Sequence, residues 1–394
     1  MGVKSNIAIA GAGGVGSATG LLLREIGDFD VDIYIGDGDP DKANKTAEWI
    51  REGSSKKGIV EAFTMPWKGT NESFDAILKE ADIVLDCLPG SEAPRIASLA
   101  KKHDLHYANL TEHVKETEKI KKIAEDAERG FILQTGLAPG FINVLANGLF
   151  KQFCEIYEVD KVNYVSMKVG ALTQCAFPPH YYGFTWSPIG VATEYLEPAI
   201  VIRDYKKTKL PSLSERKTVV INGVTYEEAL TSGGAADLPD VLEGKVKNLD
   251  YKTLRYPGHY SWIENLLKDI DELYRTGIPY YEGSRADKLQ KKMEEFVPTT
   301  RDDVISNDIV VIYSSVQGKD KKGTLRIIEE WYEIRPTWIG NKYLRAIQST
   351  TAAALAESAR MLLSERYRGA ITQSMIDPKE FMNGPFVSYI YKTR

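Results

Sequence analysis

Four residues near the start of the chain could together hold a dinucleotide. Gly11-Ala12-Gly13-Gly14-Val15-Gly16 has the spacing G-x-G-x-x-G, and Asp37 follows Gly16 by 21 positions. Each glycine has a task there. Gly11 permits a tight turn, Gly13 lets the backbone approach a pyrophosphate, and Gly16 lets helix and strand pack closely. Gly14 and Val15 then open a helix whose free N–H groups and positive dipole end face the phosphates. A carboxylate at Asp37 accepts hydrogen bonds from the adenosine ribose hydroxyls and repels a 2′-phosphate. Gly38 brings no cation and Asp39 adds negative charge, so NAD is expected and NADP disfavoured. Farther along, Cys87-Leu88-Pro89 lies where the nicotinamide half would reach, or else forms a plain Pro-Gly turn with Gly90. A methyltransferase using S-adenosylmethionine would carry an acid two places before the first glycine, where this chain has Ile9.

The motif has meaning only between a strand and a helix, and the pattern supplies both. Asn6–Ala10 reads as a strand and Val15–Ile26 as a helix, followed by strands at Val31–Gly36, Val60–Met65, Asp82–Leu88, His106–Leu110 and Phe131–Thr135. Helical patterns from Pro40, over Glu92–Lys102 and over Lys115–Arg129 alternate with them, the signature of a doubly wound parallel sheet of Rossmann type. Gly136-Leu137-Ala138-Pro139-Gly140 breaks that rhythm, and a helix over Phe141–Phe153 leads into a different region. Its strands at Val162–Val169, Ala199–Tyr205, Lys217–Asn222, Asp308–Gln317 and Thr324–Ile334 suit an α+β domain with an antiparallel or mixed sheet, the last two forming a hairpin. A long Ala-rich helix is expected over Tyr343–Arg368, stopped by Gly369. The resulting division is residues 1–135 for the dinucleotide, 136–342 for substrate and dimerisation, and 343–394 returning to the first domain.

Composition narrows the function classes. With 50 Lys plus Arg against 55 Asp plus Glu, the net charge of −5 offers no footprint for nucleic acid or an anionic membrane. No apolar run approaches the length of a membrane span, and Met1–Asn6 runs into the first strand without a leader's apolar stretch. The three cysteines, Cys87, Cys154 and Cys175, make neither a disulfide framework nor a metal-spaced set, which suits a reducing cytoplasm. His103, His106 and His113 lack metal-ligand spacing, so no metal is expected.

With these residues in view, the chain resembles the saccharopine dehydrogenase-like family, and within it the bacterial lysine 6-dehydrogenases. The supporting strings are Gly11–Gly16, Asp37, Leu88-Pro89, Gly136–Gly140, Val169-Gly170-Ala171-Leu172, Phe184–Ile189, Glu194-Tyr195 and Thr253–His259. The resemblance implies an inserted substrate domain whose open sheet forms a homodimer, and a C-terminal helix returning to the dinucleotide domain. It also implies oxidation or reduction at a nitrogen-bearing carbon in lysine metabolism, with a small-molecule, amino-acid substrate. Two positions depart from the family. Asn109 stands where relatives commonly have Asp, and Ala171 where a glycine is common. An amide at 109 cannot serve as a base or counter an ammonium.

Hydride removal from an amine-bearing carbon needs a fixed nicotinamide, a neutral amine, a proton acceptor and an anchor for the substrate carboxylate. Arg255 suits the anchor, because guanidinium binds carboxylate in a fork, although it could equally make a surface ion pair. His259 could accept the ammonium proton, or a water could. As a bland alternative, His259 and His180 are hydrogen-bonded structural histidines. Tyr182 and Trp186 could wall the substrate pocket or fill a core, and Ser187 before Pro188 reads as a helix cap. Three readings stay open at this point. One is a lysine-like or saccharopine substrate, another a carboxylated polyamine, and the third an NAD-binding sensor or scaffold without turnover.

Overall fold

The computed structural model describes residues 4–276, 283–297 and 307–391. Among these the chain divides into two compact units. The first comprises Met1–Leu145, Thr337–Leu344 and Gln348–Arg394. The second comprises Ala146–Pro336 and Arg345–Ile347.

The first unit opens with β1 (Ser5–Ala10), α1 (Gly14–Glu25), β2 (Val31–Asp37), α2 (Pro40–Gly53), β3 (Val60–Thr64) and α3 (Glu72–Glu80). It continues through β4 (Ile83–Asp86), α4 (Ala93–Lys102), β5 (His106–Asn109), α5 (Val114–Ala124) and β6 (Gly130–Ile132), after which α6 (Phe141–Tyr157) carries the chain across the boundary at Leu145. Strand side chains alternate between two buried faces, as a covered parallel sheet demands. Ala8 and Ala10 of β1 face a core with Phe74 and Leu78 of α3, Ile96 of α4 and Ile120 of α5. Ile9 of β1 faces the other way, toward Gly20 of α1 and Ile50 of α2. Burying each of the larger side chains, such as Leu78 or Ile9, contributes about 1.5–3 kcal/mol.

The second unit carries β7 (Val162–Thr173), α7 (Pro188–Leu196), β8 (Ala199–Arg203), β9 (Lys206–Leu210), β10 (Lys217–Ile221), β11 (Val224–Leu230) and the short α8 (Leu238–Val241). After them come β12 (Val246–Arg255), α9 (His259–Thr276), α10 (Arg285–Phe296), β13 (Asp308–Lys319) and β14 (Leu325–Ile334). The sheet runs β10-β11-β12-β7-β13-β14, with β8 attached to β12 and β9 attached to β8. It is mixed: β12 lies parallel to β7, while β13 is antiparallel to both β7 and β14. The β13–β14 hairpin forms as its alternation predicts. Ser187 caps α7 by accepting from the Gly190 N–H at 3.2 Å.

The chain ends with β15 (Thr337–Ile339), β16 (Lys342–Leu344), α11 (Ala346–Leu362), β17 (Gly369–Ile371), α12 (Pro378–Asn383) and α13 (Pro385–Tyr391). Here the helix expected over Tyr343–Arg368 is shorter. Glu365 takes φ +60° and sends its carboxylate to Arg129, which removes that stretch from the helix. Gly369 therefore starts a strand instead of stopping a helix. β17 pairs parallel with β6 and completes the first sheet in the order β17-β6-β5-β4-β1-β2-β3.

Candidate active site

At the carboxyl end of β1 the glycines meet the demands their spacing implies. Gly11 takes φ +109°, and a Cβ there would stand 2.9 Å from the Cys87 carbonyl carbon and oxygen. That close approach is locked by the Cys87 N–H, which donates to the Ala10 carbonyl at 2.8 Å. A Cβ at Gly16 would lie 2.0 Å from the Gly11 carbonyl oxygen, so no larger residue fits. A Cβ at Gly13, by contrast, would meet nothing within 4 Å. The backbone is bare there, and no side chain caps the N-terminus of α1. Open space beside uncapped N–H groups is the cradle a pyrophosphate requires.

Asp37 ends β2 in a buried position. Its carboxylate accepts from the Ala12 N–H at 3.0 Å and the Asp39 N–H at 3.2 Å, and pairs with the Lys42 ammonium at 2.8 Å. Burial pushes its pKa up, but the Lys42 contact and the two N–H groups together push harder, holding the carboxyl below its ordinary range. It is therefore ionised at neutral pH. Lys42 amends the sequence reading of this corner. Gly38 brings no cation, yet one arrives from the first turn of α2, five positions after the acid. Asp39, read as extra negative charge, caps that helix by accepting from the Asp41 and Lys42 N–H groups.

At the end of β4, Asp86 is buried, with Oδ1 accepting from the Leu88 N–H at 3.0 Å and Oδ2 from the Tyr107 hydroxyl at 2.8 Å. Desolvation raises its pKa to about 7 despite those bonds. After it, Cys87 and Leu88 are half-buried and Pro89 is exposed. Asn109 explains its own departure from the family pattern. Its Oδ1 accepts from the Gln134 N–H at 2.8 Å and its Nδ2 donates to the Tyr107 hydroxyl at 3.2 Å. That hydroxyl donates onward to Asp86. An aspartate at 109 would lose the donor and place a second carboxyl beside the first.

The second unit gathers Arg255, His259, Tyr182 and Trp186 around α7. Arg255, the last residue of β12, is 1% exposed, which excludes a surface ion pair. Its Nη2 donates to Glu194 Oε1 at 3.0 Å, its Nε to the Tyr195 hydroxyl at 2.7 Å and its Nη1 to the Leu254 carbonyl at 3.0 Å. Its guanidinium also lies 4.9 Å from the Tyr182 ring centroid. The Tyr195 hydroxyl accepts from Arg255 and so donates to His259 Nε2 at 3.0 Å, while His259 Nδ1 donates to the His180 carbonyl at 2.7 Å.

This geometry corrects the reading of His259 as proton acceptor. Both ring nitrogens are engaged, and burial together with the Arg255 charge lowers the pKa to about 3. The ring stays neutral and holds Tyr195 in place. His180 is likewise structural, its Nδ1 accepting from the Tyr182 N–H at 3.2 Å. Tyr182 is wholly buried among Phe184, Tyr195 and Tyr260, so it belongs to the core; Trp186 packs on the same cluster but stays partly exposed. Sequence reasoning assigned no role to Lys42, Asp86, Tyr107, Glu194 or Tyr195. Among the described residues no group of three or more His, Cys, Asp or Glu could hold a metal ion, and no helix is long and apolar enough to cross a membrane.

Comparison with known proteins places this geometry. Residues 7–132 match the saccharopine dehydrogenase NADP-binding domain, and residues 136–388 match the saccharopine dehydrogenase C-terminal domain. The chain belongs to the saccharopine dehydrogenase family. Among curated relatives, the mitochondrial alpha-aminoadipic semialdehyde synthase of Bos taurus is 26% identical over 236 residues, which span 59% of this chain and 23% of that one. The fold is shared with the apo saccharopine dehydrogenase (L-Glu forming) of Saccharomyces cerevisiae, at TM-score 0.73 and 14% identity, covering 98% of both chains. It is also shared with the homospermidine synthase of Legionella pneumophila solved with NAD, at TM-score 0.66 and 13% identity, covering 99% of this chain and 90% of that one.

Proposed function

We propose that the protein is an NAD-dependent dehydrogenase acting on the C–N bond of a lysine-like amino acid. The observation that carries the coenzyme half is the bare Gly13 backbone beside the ionised Asp37. The amino-acid half draws on family membership and on the buried Arg255–Glu194 pair. Asp37 favours NAD by accepting from ribose hydroxyls, whereas Lys42 gives a 2′-phosphate one partner, so the preference for NAD over NADP is one of degree. Gly11, Gly13, Gly14, Val15 and Gly16 hold the pyrophosphate, and Cys87, Leu88 and Pro89 border the nicotinamide. We further place the protein in the cytoplasm as a homodimer, in keeping with the exposed Leu325 and Ile327 on β14. The three-part division at residues 135 and 342 belongs to the same proposal.

When bound, the coenzyme supplies a hydride acceptor. The chain's own residues do the rest. Arg255 takes the substrate carboxylate by exchanging the Glu194 oxygen for it, with the released Glu194 carboxyl taking up a proton so that one anion remains beside the guanidinium. Trp186, the partly exposed ring of the cluster, walls the substrate. The ammonium proton leaves to water, since His259 has no nitrogen to spare.

Purified protein incubated with NAD and L-lysine, followed by NADH absorbance, tests the proposal. Turnover with lysine supports it. Turnover only with saccharopine or a carboxylated polyamine replaces the substrate, and coenzyme binding without turnover on any of them favours a sensor or scaffold.

A further inference from the structure

Trp67 is 79% exposed. A single exposed ring is ordinary in itself, but an indole beside a ligand site offers a flat face on which a base can stack. Among the described residues no ring pairs with it, unlike the exposed Trp338, whose centroid lies 5.4 Å from that of Tyr343. Its position is set by the sheet. The Met65 N–H donates to the Asp37 carbonyl at 3.0 Å, tying the end of β3 to the end of β2, and the chain rises two residues later to Trp67. The indole then lies against Gly38. A Cβ at that position would stand 3.0 Å from Cε2 and 3.1 Å from Cζ2 of the ring, tighter than ordinary contact, so a side chain there would shift the indole by a few tenths of an ångström. Gly38 and Trp67 thus make a flat apolar wall next to the carboxylate that reads the ribose, at the carboxyl edge where ligands of such sheets bind.

We propose that Trp67 is the platform on which the adenine ring of the coenzyme stacks, and that Gly38 is a glycine because the indole must lie there. This rests on the dinucleotide reading of Gly11–Gly16 and Asp37. A base joined to the ribose held by Asp37 is within one ring's reach of the neighbouring residue, and every base offers a π-face. The wall recognises the adenosine half alone, so it acts on any ligand carrying adenine and a ribose diphosphate, whatever the reacting end.

Calorimetric titration with ADP-ribose, which lacks nicotinamide, tests this with indole fluorescence as a second readout. Wild type should bind with quenching. Trp67→Ala should weaken binding about 5- to 150-fold, Trp67→Phe should restore most of the loss, and both should melt close to wild type because the side chain is exposed. Gly38→Ala, which shifts the indole only slightly, should weaken ADP-ribose less than Trp67→Ala does. Equal affinity in wild type and Trp67→Ala would overturn the platform while leaving the dinucleotide reading intact. Failure of wild type to bind ADP-ribose would overturn both.

Discussion

Replacing Arg255 with methionine probes the second unit most sharply. Methionine keeps much of the apolar stem but removes the guanidinium, and with it the 3.0 Å ion pair to Glu194, whose side chain is 14% exposed. It also takes the 2.7 Å donor from Tyr195, loosening the hydroxyl that holds His259. Breaking a buried ion pair from one side costs about 3–5 kcal/mol, most of it the penalty of an uncompensated buried charge. Arg255→Met should therefore lose about that much in equilibrium denaturation. Glu194→Gln keeps an acceptor but leaves the buried guanidinium without its anion, and should lose a comparable amount. In the double variant neither charge of the pair remains, so the two losses should fail to add by about 0.5–3 kcal/mol. Denaturant titration of the four proteins, with the KM for the amino-acid substrate alongside, gives the cycle. Glu194→Gln should lower KM if the substrate carboxylate takes the place of Glu194. Single variants within 0.5 kcal/mol of wild type, or strictly additive losses, would refute the reasoning.

Gly13→Ala should fold like wild type, since its Cβ meets nothing, yet bind NAD at least about tenfold more weakly because the methyl intrudes where the phosphates approach; calorimetry and a melting curve separate the two effects. Gly16→Ala, aimed at an oxygen 2.0 Å away, should lose stability as well. Asp86 carries a raised pKa of about 7 in the fold against 3.8 as a free group, so the folded state binds the extra proton and its contribution falls as pH rises from about 4 to 7. Over that window Asp86→Asn should flatten the decline by up to about 4 kcal/mol in urea titrations run at several pH values. Lys42→Ala should leave NAD binding nearly unchanged and weaken NADP about tenfold, measured by competition; equal losses for both coenzymes would count against a 2′-phosphate role.

Much of the first unit was legible because its signals are local. The glycine spacing, the acid 21 positions later and the apolar strands between helical patterns each depend on neighbours in sequence, and the structure puts each where expected. Lys42 was hidden by a different geometry: it reaches Asp37 from the next helix, and no motif spacing encodes that. The cluster around Arg255 was hidden by distance, since Tyr195 lies 60 positions away and His180 79 positions from His259. A buried arginine looks in sequence like a surface one until its partners are known. β12 escaped notice because Asp250 and Lys252 interrupt its apolar pattern; the fold buries both and pairs them with Arg203 and Glu228. Gly369 misled in the opposite sense. Its positive φ is real, but it serves the entry to a strand seven residues after the helix has ended.

Direct titration of the purified chain with NADH, in wild type and Asp37→Ala, bears most immediately on the whole account. Saturable binding by wild type, weakened about 10- to 150-fold when the carboxylate is removed, is what a charged hydrogen bond to ribose requires. A wild-type chain that leaves NADH untouched, or a variant that binds it equally well, would contradict the account.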